Sequence, residues 1–198
     1  MRSRAIAIIT FLVVTVLYFS GCSESHEIND TVKNEIRSAA KGFMTELKGV
    51  LVANMKSGGP VKAISVCADT AQELTKNYAE KVKLNLRRVS LKARNPKDKP
   101  DEFEKEILMK FDEMRLNDEL SPETEIFSID EVDGKKAIRY MKPIVTKSVC
   151  LNCHGDNNHV KPGVRKLIKE KYPDDTARNY KEGDVRGAIS IVKFVENQ

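Results

Sequence analysis

The chain has 198 residues, of which 40% are hydrophobic and 32% are charged, proportions close to globular averages that exclude a disordered chain and a protein with many membrane spans. The length predicts one compact domain with at most a short appendage. The net charge of +5 is mild, and lysine and glutamate are interleaved along most of the chain, which argues against nucleic acid as a partner.

The N-terminus has the pattern of an export signal. Two arginines precede residues 5–19, an uncharged stretch shorter than the about 20 residues of a membrane-spanning helix. A sequence like the lipobox of bacterial lipoproteins follows and ends at Cys22, although Phe19 stands where Leu is usual. We expect a lipoprotein-like signal peptide over residues 1–21 and a single domain over residues 22–198. That domain is expected in the periplasm or cell envelope, held at the membrane surface by a lipid on Cys22. A plainly cleaved signal peptide and an uncleaved anchor helix are the alternatives.

Two helices are predicted next. Residues 27–57 carry apolar side chains at a spacing of three to four, which indicates a long amphipathic helix that Gly58-Gly59 would end. Pro60 suits the first turn of a second helix, whose apolar stripe includes Cys67. We therefore expect the Cys67 side chain to point inward.

The middle of the chain alternates between strand and helix signals. Apolar and polar residues alternate from Val82 towards Ser90, which predicts a half-buried strand. Residues 92–100 are polar, contain two prolines and are expected to form a loop. Helical spacing returns over residues 101–117. A β-hairpin is predicted over residues 125–144, with Asp133-Gly134 at its turn.

The run Cys150-Leu151-Asn152-Cys153-His154 is the most specific motif. Two thiols at this spacing can each add across one vinyl group of the same porphyrin, and His154 is then held at the iron as the proximal ligand. Gly155 is expected to give the backbone freedom to leave the haem edge. One such motif predicts one covalent haem c. The alternatives are a zinc site that adds His159 to the motif, or a disulfide between Cys150 and Cys153.

A short basic helix at about residues 164–171 and a strand over residues 187–195 follow the motif. With helices at the start, antiparallel strands later and no repeats, the chain is predicted to be α+β, with the haem on a loop between strands.

The ligand on the other side of the iron sets the potential and the access of small molecules. His159 is too close in sequence to His154 to reach the opposite face, and His26 lies in the N-terminal tail. The mature chain has five methionines, whose positions suit core packing or a strand: Met44, Met55, Met109, Met114 and Met141. Cys67 remains, either as a buried structural cysteine or as an iron ligand.

Several blocks of the sequence resemble a family of small single-haem c domains with a PAS-like fold. Members occur alone in the periplasm or thylakoid lumen and as sensing domains of bacterial histidine kinases and chemoreceptors. The matching blocks span nearly the whole mature chain: residues 63–67, 88–96, 140–144, 150–155, 172–177 and 183–188. The resemblance implies a PAS-like antiparallel sheet with long N-terminal helices and His/Cys ligation of the iron, with Cys67 as the distal ligand. It also implies homo- or heterodimers. Lys97 departs from the family, which often has Asn there.

A thiolate ligand stabilises ferric iron, so the resemblance implies a low-potential haem. Reduction weakens the iron–thiolate bond and would leave ferrous iron open to NO or CO. We expect electron transfer with a redox partner protein, binding of such gases, or both. A redox or gas sensor subunit that signals through a partner protein is the alternative. An enzyme is less expected, because His159 is its only candidate acid–base group.

Haem propionates need cationic or hydrogen-bonding partners. The candidates are four cations within the matching blocks: Arg88, Lys92, Arg94 and Arg186. A solvated charged surface is the simpler interpretation of each.

Overall fold

The computed structural model describes residues 27–195. The predicted signal peptide, Cys22 and His26 lie outside the described residues. Within the described range, no helix combines the length and hydropathy needed to cross a membrane.

The two predicted N-terminal helices form one kinked element, α1 (Asp30–Val82). Its helical backbone is interrupted at Gly58 and at Gly59, whose φ of +67° is a left-handed value that favours glycine. The two parts fold back on each other, because the ring centroids of Phe43 and Tyr78 are only 5.5 Å apart. The predicted break at Gly58-Gly59 is therefore confirmed, and it makes α1 a helical hairpin.

Four antiparallel strands form one sheet in the order β1-β4-β3-β2. They are β1 (Asn85–Val89), β2 (Ile126–Val132), β3 (Lys135–Val145) and β4 (Val185–Phe194). Asp133 and Gly134, with φ values of 52° and 71°, make the two-residue turn of the predicted hairpin. The first strand begins later than predicted, because Val82 still belongs to α1.

Three further helices complete the fold: α2 (Glu102–Leu116), α3 (Leu151–His154) and α4 (Pro162–Lys171). A capping box starts α2, since the Asp101 carboxylate accepts the Glu104 N–H at 2.8 Å and the Glu104 carboxylate accepts the Asp101 N–H at 2.9 Å. The predicted loop over residues 92–100 contains one 3-10 turn, Pro96–Asp98.

The helices α1 and α2 cover opposite faces of the sheet. Phe43 of α1 packs in a core with Ile189 and Ile191 of β4, while Phe111 of α2 packs in a second core with Ala188. Successive residues of a strand point to opposite faces, so β4 supplies both cores. The predicted α+β, PAS-like fold with a long N-terminal helix is confirmed.

A third, smaller core fixes α4 against the second part of α1. Ile64 packs there with Val160, Val164 and Ile168, and Cys153 contacts this cluster. The segment that carries the predicted haem motif is thereby held against α1.

Gly187 allows β1 and β4 to approach each other. A Cβ at this position would lie 2.2 Å from the carbonyl oxygen of Val89. Because the strands would have to separate, we expect Gly187→Ala to lower the free energy of unfolding by about 3 kcal/mol. Urea unfolding followed by circular dichroism measures this.

Gly49→Ala is the matched control. Gly49 is exposed on α1, where a Cβ meets nothing within 4 Å, so this substitution should raise the free energy of unfolding by up to about 1 kcal/mol. Effects of the same sign and size for the two substitutions would contradict the role given to Gly187.

Candidate haem site

A cavity of about 940 Å³ lies between the two parts of α1, one end of the sheet and the residues around α3. This volume is at the upper end of the range for cofactor pockets, about 300–1,000 Å³. Cys67 of α1 lines the cavity together with Cys150, Cys153 and His154. All three cysteines are free thiols.

Burial raises the pKa of Cys153 to about 11, and Arg94 opposes this increase while Cys67 and Cys150 add to it. The fold thus brings the isolated upstream thiol to the motif.

The motif forms a tight local structure. A 3-10 turn, Ser148–Cys150, leads directly into α3, and the N–H of Gly155 closes the turn on the carbonyl oxygen of Leu151 at 3.0 Å. A Cβ on Gly155 would lie 2.7 Å from that oxygen and 2.7 Å from the Cβ of His159. The φ of Gly155 is −72°, so the expected backbone freedom is not what requires glycine. Glycine is required because Leu151 and His159 leave no space for a side chain at this position.

His154 is oriented by the backbone. Its Nδ1 lies 2.9 Å from the carbonyl oxygen of Ala177. Burial, followed by the charges of Arg186 and Arg94, lowers the pKa of His154 well below its usual range. The neutral ring therefore donates Nδ1–H to Ala177 and carries its lone pair on Nε2. Metal-binding histidines have the same arrangement, in which the ring nitrogen that does not face the metal donates to a carbonyl or carboxylate oxygen.

Arg94 ties the motif to the loop after α4. Its Nη2 donates to the carbonyl oxygens of Cys153 at 2.6 Å and Ala177 at 3.2 Å, and its Nε donates to the buried Asp175 carboxylate at 3.0 Å. Burial raises the pKa of Asp175, but hydrogen bonds and charge from Arg94, with further hydrogen bonds from Arg178 and the Ala177 N–H, lower it overall. Arg94, a sequence candidate for a propionate, is thus engaged by protein groups.

The cavity lining has an excess of positive charge, with seven lysine or arginine residues against three carboxylates. Arg88 of β1 and Lys142 of β3 both pair in register with Ile189, so they lie on either side of β4. Arg88 pairs loosely with Asp98, at 3.8 Å, and its buried Nε has no hydrogen-bond partner among the described residues. A buried cationic donor without a partner fits an anionic group in the cavity. Lys142, which the sequence did not indicate, donates to the backbone carbonyl oxygens of Pro122 and Thr124.

The remaining sequence candidates are placed differently. Arg186 lines the cavity and lies against His154, whereas Lys92 does not line it and instead places Nζ 5.0 Å from the ring centroid of Tyr180. His159 is exposed, and its Nδ1 bonds to Asp156 at 2.7 Å. No group of three or more His, Cys, Asp or Glu side chains within residues 27–195 is arranged to hold a metal ion.

The methionines divide into two groups. Met44 and Met55 line the cavity from the first part of α1, beside Leu47 and Leu51. The others are engaged or remote: Met141 is fully buried in the core under α2, Met114 packs against that core, and Met109 is 57% exposed. Only the first group shares a cavity with His154.

Removing the Arg94 charge should destabilise the protein, because Asp175 would remain buried beside a single exposed arginine. We expect Arg94→Gln to lower the free energy of unfolding by about 3 kcal/mol at pH 7. Because the pKa of Asp175 is depressed in the folded protein, the stabilisation from the Arg94–Asp175 pair is complete above about pH 4, the ordinary Asp pKa. It is lost as the pH falls through the lower pKa that Asp175 has in the folded protein. The difference in free energy of unfolding between Arg94→Gln and wild type, measured by urea unfolding from about pH 3 to about pH 7, should therefore shrink in acid.

Arg178→Gln is the control, since Arg178 donates to the same carboxylate but is 44% exposed. Its cost should stay below about 1 kcal/mol. A difference between Arg94→Gln and wild type that does not depend on pH would contradict the pairing with Asp175.

Comparisons with known proteins bear on the family and the fold of this chain. A search of curated proteins gave no match. A solved structure, described as the crystal structure of the cyanobacterial heme-protein Tll0287, is 25% identical, with a TM-score of 0.65 over 86% of this chain and 99% of that chain. The Tll0287-like family model matches residues 23–193, and the chain therefore belongs to the Tll0287-like family.

Proposed function

We propose that this chain is an exported c-type haem protein, in which Cys150 and Cys153 hold the haem covalently and His154 and Cys67 ligate its iron. The observation that carries the proposal is one cavity lined by three free thiols and by a histidine whose Nε2 carries the lone pair. The similarity to a protein described as a haem protein supports the same cofactor.

Each residue has a defined part in holding the cofactor. The thiols of Cys150 and Cys153 would form the two thioethers, and His154 would present Nε2 while Ala177 fixes the opposite nitrogen. Arg88, whose buried Nε has no hydrogen-bond partner among the described residues, is the best placed of the candidate propionate partners. Bound haem supplies a one-electron redox couple and an iron site at which a small ligand can bind.

Cys67 decides what kind of haem protein this is. Burial raises the pKa of the Cys67 thiol, while the charge of Arg88 lowers it. As a thiolate ligand, Cys67 would stabilise the ferric state and give a low potential. The protein would then serve low-potential electron transfer, binding of NO or CO after Cys67 is displaced, or both. A redox or gas sensor that signals through a partner uses the same ligand exchange.

The N-terminal sequence supports a proposal for the setting of the protein. We propose export to the periplasm or cell envelope, with a lipid on Cys22 as the membrane attachment and a redox protein as the partner. A homo- or heterodimer is part of the same proposal.

Covalent attachment is tested by mass spectrometry of denatured protein produced in a host that matures c-type cytochromes. The wild type should show the polypeptide mass plus one haem, because thioethers survive denaturation. Cys150→Ser with Cys153→Ser should lose the covalent haem. Cys67→Ser is the matched control and should retain it. A chain that carries zinc, or no haem, would overturn the proposal.

The distal ligand is tested by absorption and EPR spectra of the ferric and ferrous protein, with and without CO and NO. Cys67→Ala should lose the thiolate signature of the ferric spectrum, and the potential should increase. Met44→Leu and Met55→Leu alter the same cavity without removing a thiol, and His26→Ala tests the residue outside the described range. If Cys67→Ala leaves the ferric spectrum unchanged, or any control abolishes the thiolate signature, the assignment of Cys67 is wrong.

A further inference from the structure

The guanidinium of Arg186 lies over the ring of His154. Its Nε is 3.2 Å from Nδ1 and 3.5 Å from Nε2. The two ring nitrogens flank the same carbon, Cε1, so a group in the ring plane at nearly equal distances from both would overlap the hydrogen of that carbon. Nε must therefore lie over the ring face. This placement leaves Nδ1–H directed at Ala177 and leaves the Nε2 lone pair unobstructed in the ring plane.

Neutral groups hold the guanidinium in this position. Its Nη1 donates to the Ser90 hydroxyl at 2.8 Å and to the carbonyl oxygen of Lys92 at 3.3 Å, and its central carbon is 5.4 Å from the ring centroid of Tyr180. None of the ion pairs among residues 27–195 includes Arg186. Its charge is therefore not neutralised by an adjacent carboxylate.

We propose that Arg186 is a positioning residue for the iron-binding histidine and that its charge raises the reduction potential of the iron. The inference rests on the proposed function, because it requires a haem ligated by His154. It also gives Arg186 a different task from the propionate contact suggested by the sequence.

The physical reason is electrostatic. The Ala177 carbonyl oxygen accepts a hydrogen bond from Nδ1–H and so makes the His154 ring a stronger donor, and a Cys67 thiolate ligand would act in the same direction. A fixed cation over the ring opposes both, because adding an electron to nearby iron is more favourable beside a positive charge. Partial burial strengthens this effect, since water screens the charge less. Arg186 thus limits how low the potential can fall.

The test is spectroelectrochemical titration of the haem-loaded full chain. Arg186→Gln should shift the midpoint potential downward. Its ferric EPR g-values should also change, because the His154 ring keeps its hydrogen bond to Ala177 but loses the group that packs on its face. Lys92→Gln is the matched control, since Lys92 contacts the same Tyr180 ring but is exposed and does not line the cavity. Both readouts should stay at wild-type values in that variant.

Ser90→Ala provides a second variant that keeps the charge and removes one tether. It should shift the potential in the same direction as Arg186→Gln but less, and it remains informative if Arg186→Gln does not accumulate. An unchanged potential in either variant with haem attached, or an equal shift in Lys92→Gln, would overturn the inference. A wild-type chain without covalent haem would instead overturn the proposed function, and this inference would fall with it.

Discussion

The carbonyl oxygen of Ala177 is the constraint on which the candidate site depends. It accepts a hydrogen bond from His154 Nδ1 and another from Arg94, so one backbone atom sets both the tautomer of the histidine and the position of the motif beside it. Arg94 also bonds to Cys153 and to the buried Asp175. A buried charge is tolerated only when it is paired, so movement of this segment would separate the Asp175 carboxylate from its buried partner Arg94 and leave only the exposed Arg178 as a counter-charge. The geometry of the motif is thus set largely by hydrogen bonds to the loop around Ala177, which lies 23 residues after His154.

The fold supplies the second face of the site through the break in α1. A straight helix of 53 residues would extend for about 80 Å, and the Gly58-Gly59 break instead returns the chain on itself. The first part then lines the cavity with apolar side chains such as Leu47 and Leu51, and the second part contributes Cys67. One interruption therefore produces both the apolar wall and the upstream thiol opposite the motif. The apolar wall limits water around any bound cofactor, which strengthens the electrostatic effects of nearby charges.

The sequence was sufficient for features that depend on local patterns. The Gly58-Gly59 break, the Asp133-Gly134 turn and the helix after Asp101 follow from backbone preference and spacing, and the structure contains all three. It was insufficient where contacts join distant segments. Neither periodicity nor motif spacing indicates that Arg94 would bind Ala177 or that Arg186 would cover His154, because these contacts exist only once the sheet has formed.

Gly155 illustrates the same limit on a smaller scale. The sequence predicts that this glycine provides backbone freedom, but the crowding by Leu151 and His159 that requires it becomes visible only in three dimensions. The assignment of Cys67 as an iron ligand likewise rests on family resemblance. A stripe of apolar residues predicts that the thiol points inward but not what it faces.

The charges around the cavity have separate tasks that together explain why a thiol and an anionic cofactor suit the same space. Burial alone favours the neutral thiol of Cys67, and Arg88 opposes that preference from the sheet. Arg94 forms an ion pair with Asp175, whereas Arg186 lies beside His154 and forms no ion pair among the described residues. Arg88 thus acts on Cys67, and Arg186 lies against His154, so each of the two proposed iron ligands has a cation beside it. If the proposed haem occupies the cavity, these cations would lower the cost of burying its propionates and the Cys67 thiolate.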